Sequence, residues 1–186
     1  MFNERFGLQQ ATFDRTKTMT RRAVLDKTMK DALAYQSHHI DDEKAYEKYI
    51  LDHAPYKVGE IVAIAQRYSQ LVGNGYLTED GNLSLHHSEG WSNKMYVKAE
   101  LMPRHIKMTG IKVEGLAGIS DEDCLKEGIQ VLKGGFRNQD AYTFKGDKVW
   151  FKTPYLAYKE LIDRLNKRGY FESNPLVYAY TYELVD

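Results

Sequence analysis

Lys17-Thr18-Met19-Thr20-Arg21-Arg22 decides the reading of this chain: two hydroxyls and three cations fill six residues that otherwise read as a short strand. Cations interleaved with hydroxyls offer charge-assisted donors to a phosphate, a carbonyl or a nucleoside. The same charges suit an exposed edge strand, where they discourage pairing with another sheet. The six residues alone leave both readings open.

Outward from that stretch, charge is unevenly spread over a chain of 186 residues whose formal net charge is zero. From Arg15 to Lys30 there are six basic residues against one acid, Asp26, and from Asp31 to Asp52 six acids against two lysines. A second basic run, Lys94, Lys98, Arg104, Lys107 and Lys112, is offset only by Glu100. A neutral total gives no global pull toward nucleic acid or a membrane, so any anion site is local and depends on these runs meeting. The length suits one well-buried domain, and 42% hydrophobic residues exclude wholesale disorder. The 14 tyrosines fit a sheet-rich fold, most of them as structural residues, and leave base stacking open. The lone Cys124 excludes a disulfide scaffold and points to a reducing compartment; its acidic neighbours argue against a nucleophile. No secretory segment or membrane-length apolar run is seen, so a cytoplasmic protein is expected.

The pattern of elements points to an α+β domain around a small barrel or curled sheet. A short helix or turn is expected in residues 3–13, before the basic strand, and helices within 23–54. Ile61–Ala65 reads as a buried strand, and Asn74-Gly75 and Asp80-Gly81 predict one or two β-ribbons across 66–87. Strands are expected at Met95–Leu101 and His105–Glu114. Ser120-Asp121-Glu122-Asp123 opens a helix that Gly128 ends. Gly134-Gly135 reads as a loop and Lys145-Gly146-Asp147 as a hairpin. Thr153-Pro154 starts a helix with the stripe Leu156, Leu161, Ile162 and Leu165, and Leu176–Leu184 alternates as a last strand.

Several familiar sites are not supported. His38-His39 and His86-His87 lack metal-ligand spacing, no glycine stretch has a phosphate-loop frame, and no nucleophile elbow is present. No motif requires a cofactor. Glu127 is different. Asp121, Glu122 and Asp123 favour the positive end of their helix, whereas a carboxylate in the last turn opposes the dipole. Glu127 is therefore either a solvated surface residue or one placed to face a cation or a substrate.

Taken together, these residues resemble the ASCH domain family, whose members share a small β-barrel related to the PUA RNA-binding fold. Lys17-Thr18-Met19-Thr20-Arg21-Arg22, after Phe2–Phe6, is similar to the family's Lys-Thr-x-Thr-x-Arg signature and opening helix. Tyr56–Ala65, the Leu116–Ile129 helix and Asn174–Tyr178 extend the match, and Met102-Pro103 is similar to longer, phage- and prophage-type members. Where the family has Gly two residues before the Lys, this chain has Arg15. The resemblance implies a single α+β domain over 1–186: a small PUA-like β-barrel with helical and β-ribbon insertions near 23–54, 69–90 and 131–150.

It also implies a site. One branch of small ASCH proteins removes the acetyl group from acetylcytidine with a Lys, a Thr and a Glu, and Lys17, Thr20 and Glu127 match those catalytic positions. In that reading Thr20 or a water attacks the carbonyl, Lys17 is the base, and Glu127 handles protons or holds Lys17. Thr18, Arg21 and Arg22 line the cleft as ligand contacts, with Lys94, Lys98 and Lys107 extending it. The partner is a nucleoside, a nucleotide or RNA, with no metal and no cofactor. The rivals are a non-catalytic RNA- or nucleotide-binding module and, third, a ribonuclease. If Lys94, Lys98 and Lys107 extend the cleft, a polymer gains weight; if they lie elsewhere, a small substrate does.

Overall fold

The computed structural model describes Glu4 and residues 6–75, 83–136, 139–145 and 148–186. In chain order the elements are α1 (Leu8–Phe13), β1 (Met19–Ala23), α2 (Asp26–Ser37), α3 (Ala45–Asp52), β2 (Ile61–Ala63) and α4 (Tyr68–Gly73). They continue with α5 (Leu83–His86), β3 (His105–Gly115), α6 (Asp121–Lys126), β4 (Gln130–Phe136), β5 (Gln139–Thr143), α7 (Pro154–Leu165) and β6 (Leu176–Leu184). The result is an α+β fold built on a curled, half-barrel antiparallel sheet of order β1-β6-β3-β2, with β4 and β5 as a separate hairpin.

β6 is the centre of this arrangement. Val177 to Tyr180 are all buried in succession, as expected of a strand covered on both faces, and the strand pairs with β1 on one side and β3 on the other. Thr20 lies opposite Tyr180, and Arg22 opposite Tyr178. The core gathers Tyr178, Tyr180 and Tyr182 from β6, Ile106 and Met108 from β3, and Tyr158 and Leu161 from α7. A second small cluster holds Tyr68, Leu71 and Met102. The tyrosines of both clusters are packed into the core.

Local chemistry sets the two helices that frame the site. The Asp123 backbone N–H donates to Ser120 Oγ at 3.1 Å, capping α6. Leu156 N–H donates to Thr153 Oγ1 at 3.2 Å, and Pro154 opens α7 where its missing N–H costs nothing. α7 buries Pro154, Ala157, Tyr158 and Leu161, whereas Leu156, read as part of the apolar stripe, is 43% exposed.

Other expectations need correction. The 66–87 stretch carries helices α4 and α5 instead of β-ribbons; Asn74 ends α4 and Gly75 follows at φ 75°, so Asn-Gly here is a helix stop. Asp80-Gly81, most of Phe2–Phe6 and Gly146-Asp147 lie outside the described residues. Met95–Leu101 is not a strand but two 3-10 turns, Lys94–Tyr96 and Ala99–Leu101, the first capped by Asn93 Oδ1 accepting from Met95 N–H. Gly134-Gly135 lies inside β4, at an irregularity in its pairing with β5, where a loop was expected. Ile61–Ala65 was read as buried, yet β2 covers only Ile61–Ala63 and is the sheet edge, which leaves Ile61 exposed.

Candidate functional site

β1 and the end of α6 build the site between them. Lys17 precedes β1 and is 2% exposed, yet its ammonium is fully engaged. Nζ donates to Glu127 Oε2 at 2.6 Å, to the Glu127 carbonyl at 2.9 Å and to the Met19 carbonyl at 2.6 Å. Glu127 can offer both a carboxylate and a carbonyl because it is the C-cap of α6, where backbone carbonyls lack helical partners. Gly128 then turns the chain at φ 105°, and a Cβ there would sit 3.6 Å from the Lys17 side chain.

Arg21 is the second buried cation. Its Nη1 donates to Glu127 Oε1 at 3.1 Å, its Nε and Nη2 to Glu114 Oε1 at 2.9 and 2.6 Å, and Nη2 also to Asp123 Oδ2 at 3.1 Å. Lys112 closes the network through Glu114 at 2.9 Å and Asp123 at 3.1 Å. Glu127 therefore bridges Lys17 and Arg21, one oxygen to each, and Glu114 and Asp123 neutralise the outer side of Arg21. A buried ion needs such partners to offset its desolvation.

The electrostatics follow. Burial pulls the Lys17 ammonium below its ordinary value, outweighing the charge and hydrogen bond of Glu127; Arg22 and Arg21 push the same way as burial. For Arg21, burial is outweighed by Glu127, Tyr158 and Glu114, so its guanidinium is held above its ordinary value. Burial, reinforced by Glu127, raises the Tyr158 phenol well above its usual range. The Tyr158 hydroxyl is buried and has no hydrogen-bond partner among the described residues.

Lys17, Thr20, Arg21, Arg22, Glu127 and Tyr158 line one cavity of about 290 Å³, with Leu161, Ile162 and Leu165 of α7 also in its wall. Thr20 is buried and Arg22 half-buried; Thr20 and Arg22 lie on the face of β1 opposite Arg21. Thr18 is half-buried outside the cavity wall, and its backbone N–H donates to the Lys126 carbonyl at 2.8 Å. Lys94, Lys98 and Lys107 were expected to extend the cleft, and they do not line it. Lys94 pairs with Glu4 at 3.2 Å, while Lys98 and Lys107 are exposed. Of the second basic run, Lys112 alone joins the buried network, and it does so through carboxylates already bound to Arg21.

Sequence reading missed Glu114, Asp123 and Tyr158. Asp123 was absorbed by its helix-start role, and Glu114 sits in a strand whose partner was unknown. Tyr158 carried one usable signal, three residues before Leu161 on the same helical face. Arg15 stands at φ 59°, in the left-handed region that favours glycine, and its Nη1 donates to the Leu184 carbonyl at 2.9 Å.

Among the described residues no three His, Cys, Asp or Glu side chains gather as metal ligands, and no helix is long and apolar enough to cross a membrane. Comparison with known proteins gave no matching family, no matching curated protein and no matching solved structure.

Proposed function

We propose that the chain is a PUA-like barrel of ASCH type that binds a nucleoside-class ligand in the 290 Å³ cavity and hydrolyses an amide on it. One observation carries this reading: Lys17, Thr20, Arg22 and Glu127 share a single cavity although Lys17 and Glu127 are 110 residues apart in sequence. A lysine lowered by burial, paired with a carboxylate and sharing its cavity with a hydroxyl, is the equipment a general base requires. The left-handed backbone at Arg15 supports the family resemblance, since that is where the family places Gly. Lys94, Lys98 and Lys107, absent from the walls, favour a small substrate over a polymer.

In the proposed reaction Lys17, once it has lost a proton and given up one of the three hydrogen bonds of its ammonium, takes the proton of Thr20 Oγ1, or of a water beside it, as that oxygen adds to the acyl carbon. The carbon–nitrogen bond breaks and the nitrogen leaves with that proton as an amine. Where water attacked, the carboxylate product is complete; where Thr20 attacked, a water then adds to the Thr20 ester, its carbon–oxygen bond breaks, Thr20 Oγ1 regains a proton and the carboxylate leaves. Glu127 holds Lys17 and Arg21 in place throughout.

The test is incubation of acetylcytidine with wild type, Lys17→Arg and Thr20→Val, followed by chromatography of cytidine. Wild type releases cytidine, and Lys17→Arg is slower by about a hundred- to ten-thousand-fold, the usual value of a general base. Thr20→Val abolishes release if the hydroxyl is the nucleophile and retains a residue of it if water is. Full activity in Lys17→Arg, with the fold intact by circular dichroism, removes Lys17 as the base. Tight RNA binding without turnover by wild type replaces the enzyme with a binding module.

A further inference from the structure

Two cavities meet at β1. The second, of about 150 Å³, opens inside the curl of the sheet and is lined by Tyr56, Val62, Ile64, Ile106 and Met108, together with Thr20 and Arg22. Thr20 and Arg22 are the residues common to both cavities. They stand two apart on β1, with side chains on one face of the strand, and both cavities reach them.

The two chambers differ in chemistry as well as size. The larger holds the Lys17–Glu127–Arg21 network and suits a polar group. The smaller is walled by aliphatic side chains and one tyrosine; Arg22, common to both, is its one charged residue. Pockets of this composition take apolar groups, and an apolar protein cavity of about 150 Å³ is large enough to hold benzene. A ligand spanning both would have a polar ring in the larger, an apolar arm in the smaller, and its linkage at the Thr20 hydroxyl.

We infer that the smaller cavity is an acyl subsite and that the preferred substrates carry a branched or aromatic acyl group in place of acetyl. This rests on the amide-hydrolysis reading: the polar part is the nucleoside, the linkage is the scissile amide, and the apolar arm leaves as a carboxylate when water replaces the amine. Acetyl reaches the linkage and leaves the subsite empty. An isobutanoyl or benzoyl group fills it. Val62 is the gate of the subsite: it lies on edge strand β2, half-buried, and packs against the main core.

The experiment is the ratio of kcat/KM for isobutanoyl- and benzoylcytidine to that for acetylcytidine, in wild type, Val62→Phe and Val62→Ala. Wild type favours the larger acyl groups by about tenfold or more, the lower end of what one added methylene contributes in a hydrophobic pocket. Val62→Phe fills the chamber and lowers the ratio by about tenfold, within the same range. Val62→Ala widens it and raises the benzoyl ratio, which keeps the test intact if the Phe variant does not fold. Hydrolysis of acetylcytidine with no preference for larger acyl groups, or a ratio that neither variant moves, overturns the subsite and leaves the hydrolase standing. Failure of wild type to hydrolyse any of the three removes the hydrolase reading and the subsite with it.

Discussion

Lys17 and Arg21 on one side, and Lys94, Lys98 and Lys107 on the other, come from basic runs of similar charge, but the fold treats them in opposite ways. The first pair is buried, and its counter-ions arrive from β3 and α6, about a hundred residues away in sequence. In the second set Lys98 and Lys107 stay exposed, and Lys94 leans on Glu4 at the surface. Charge composition is therefore a poor guide to where a site lies. What separates the two runs is the supply of carboxylates at a distance, because a cation can be taken out of water only where ionic partners and hydrogen bonds replace its solvation.

The sharpest way to break this contrast is Glu127→Ala. Removing the bridge leaves Lys17 without its carboxylate and Arg21 short of one, and stranding a buried charge in this way costs about 3–5 kcal/mol. Urea denaturation measures it. A loss under about 1 kcal/mol, the level of an exposed pair, would put the buried cluster on the same footing as the surface lysines. The double variant Lys17→Met with Glu127→Leu should recover much of the loss, since an apolar pair leaves no stranded charge.

Salt tests the same contrast on the binding side. Small-ligand affinity in the cavity, whose cations are already paired with carboxylates, should vary weakly with ionic strength. A polymer tracked by Lys94, Lys98 and Lys107 would instead show a log–log slope of about −0.7 per phosphate contact on a single strand. The triple alanine variant of these lysines should leave acetylcytidine turnover unchanged and alter stability by only about 0.5 kcal/mol per site. A large fall in turnover would place them in the site after all.

The smallest expected effect is on the acid limb of stability. Burial alone would raise the Asp123 carboxyl, but hydrogen bonds and charges from Lys112 and Arg21 hold it below its ordinary value of 3.8. A carboxyl lowered in the folded state contributes stability above its unfolded pKa, and that contribution fades as pH falls through the folded value. Wild type minus Asp123→Asn, followed by thermal melts from neutral pH downward, should therefore shrink below about pH 4. A difference that does not change with pH would show that Asp123 gains nothing from its cationic neighbours.

Legibility in the sequence tracked how local the signal was. α6 and α7 were readable because Ser120 and Thr153 are caps with short-range hydrogen bonds. β6 was readable as a strand, but not as the alternating one expected: Val177 to Tyr180 are all buried, because the strand is central and covered on both faces. The 66–87 and 95–101 stretches were misread for a physical reason: Asn-Gly serves a hairpin or a helix stop equally well, and Met, Tyr and Val suit a strand only when a neighbouring strand exists to pair with. Glu127 stood out because the helix dipole gave it no local reason to be there. Glu114 gave no such sign; its role exists only once β3 lies beside β6 and β6 beside β1.

The pairing of β1 with β6 also sets an order of events in synthesis. Residues 19–23 bond to 177–181, and the Lys17 ammonium waits for a carboxylate and a carbonyl 110 positions downstream. A chain emerging from a ribosome at about 5–20 residues per second carries Lys17-Thr18-Met19-Thr20-Arg21-Arg22 unpaired for many seconds before β6 appears. During that interval its three cations and two hydroxyls keep a bare strand edge in water and away from other chains, as charge does on natural sheet edges. Lys17, Thr20, Arg21 and Arg22, which later line the cavity, are by charge and polarity suited to keep that unpaired edge soluble in the meantime.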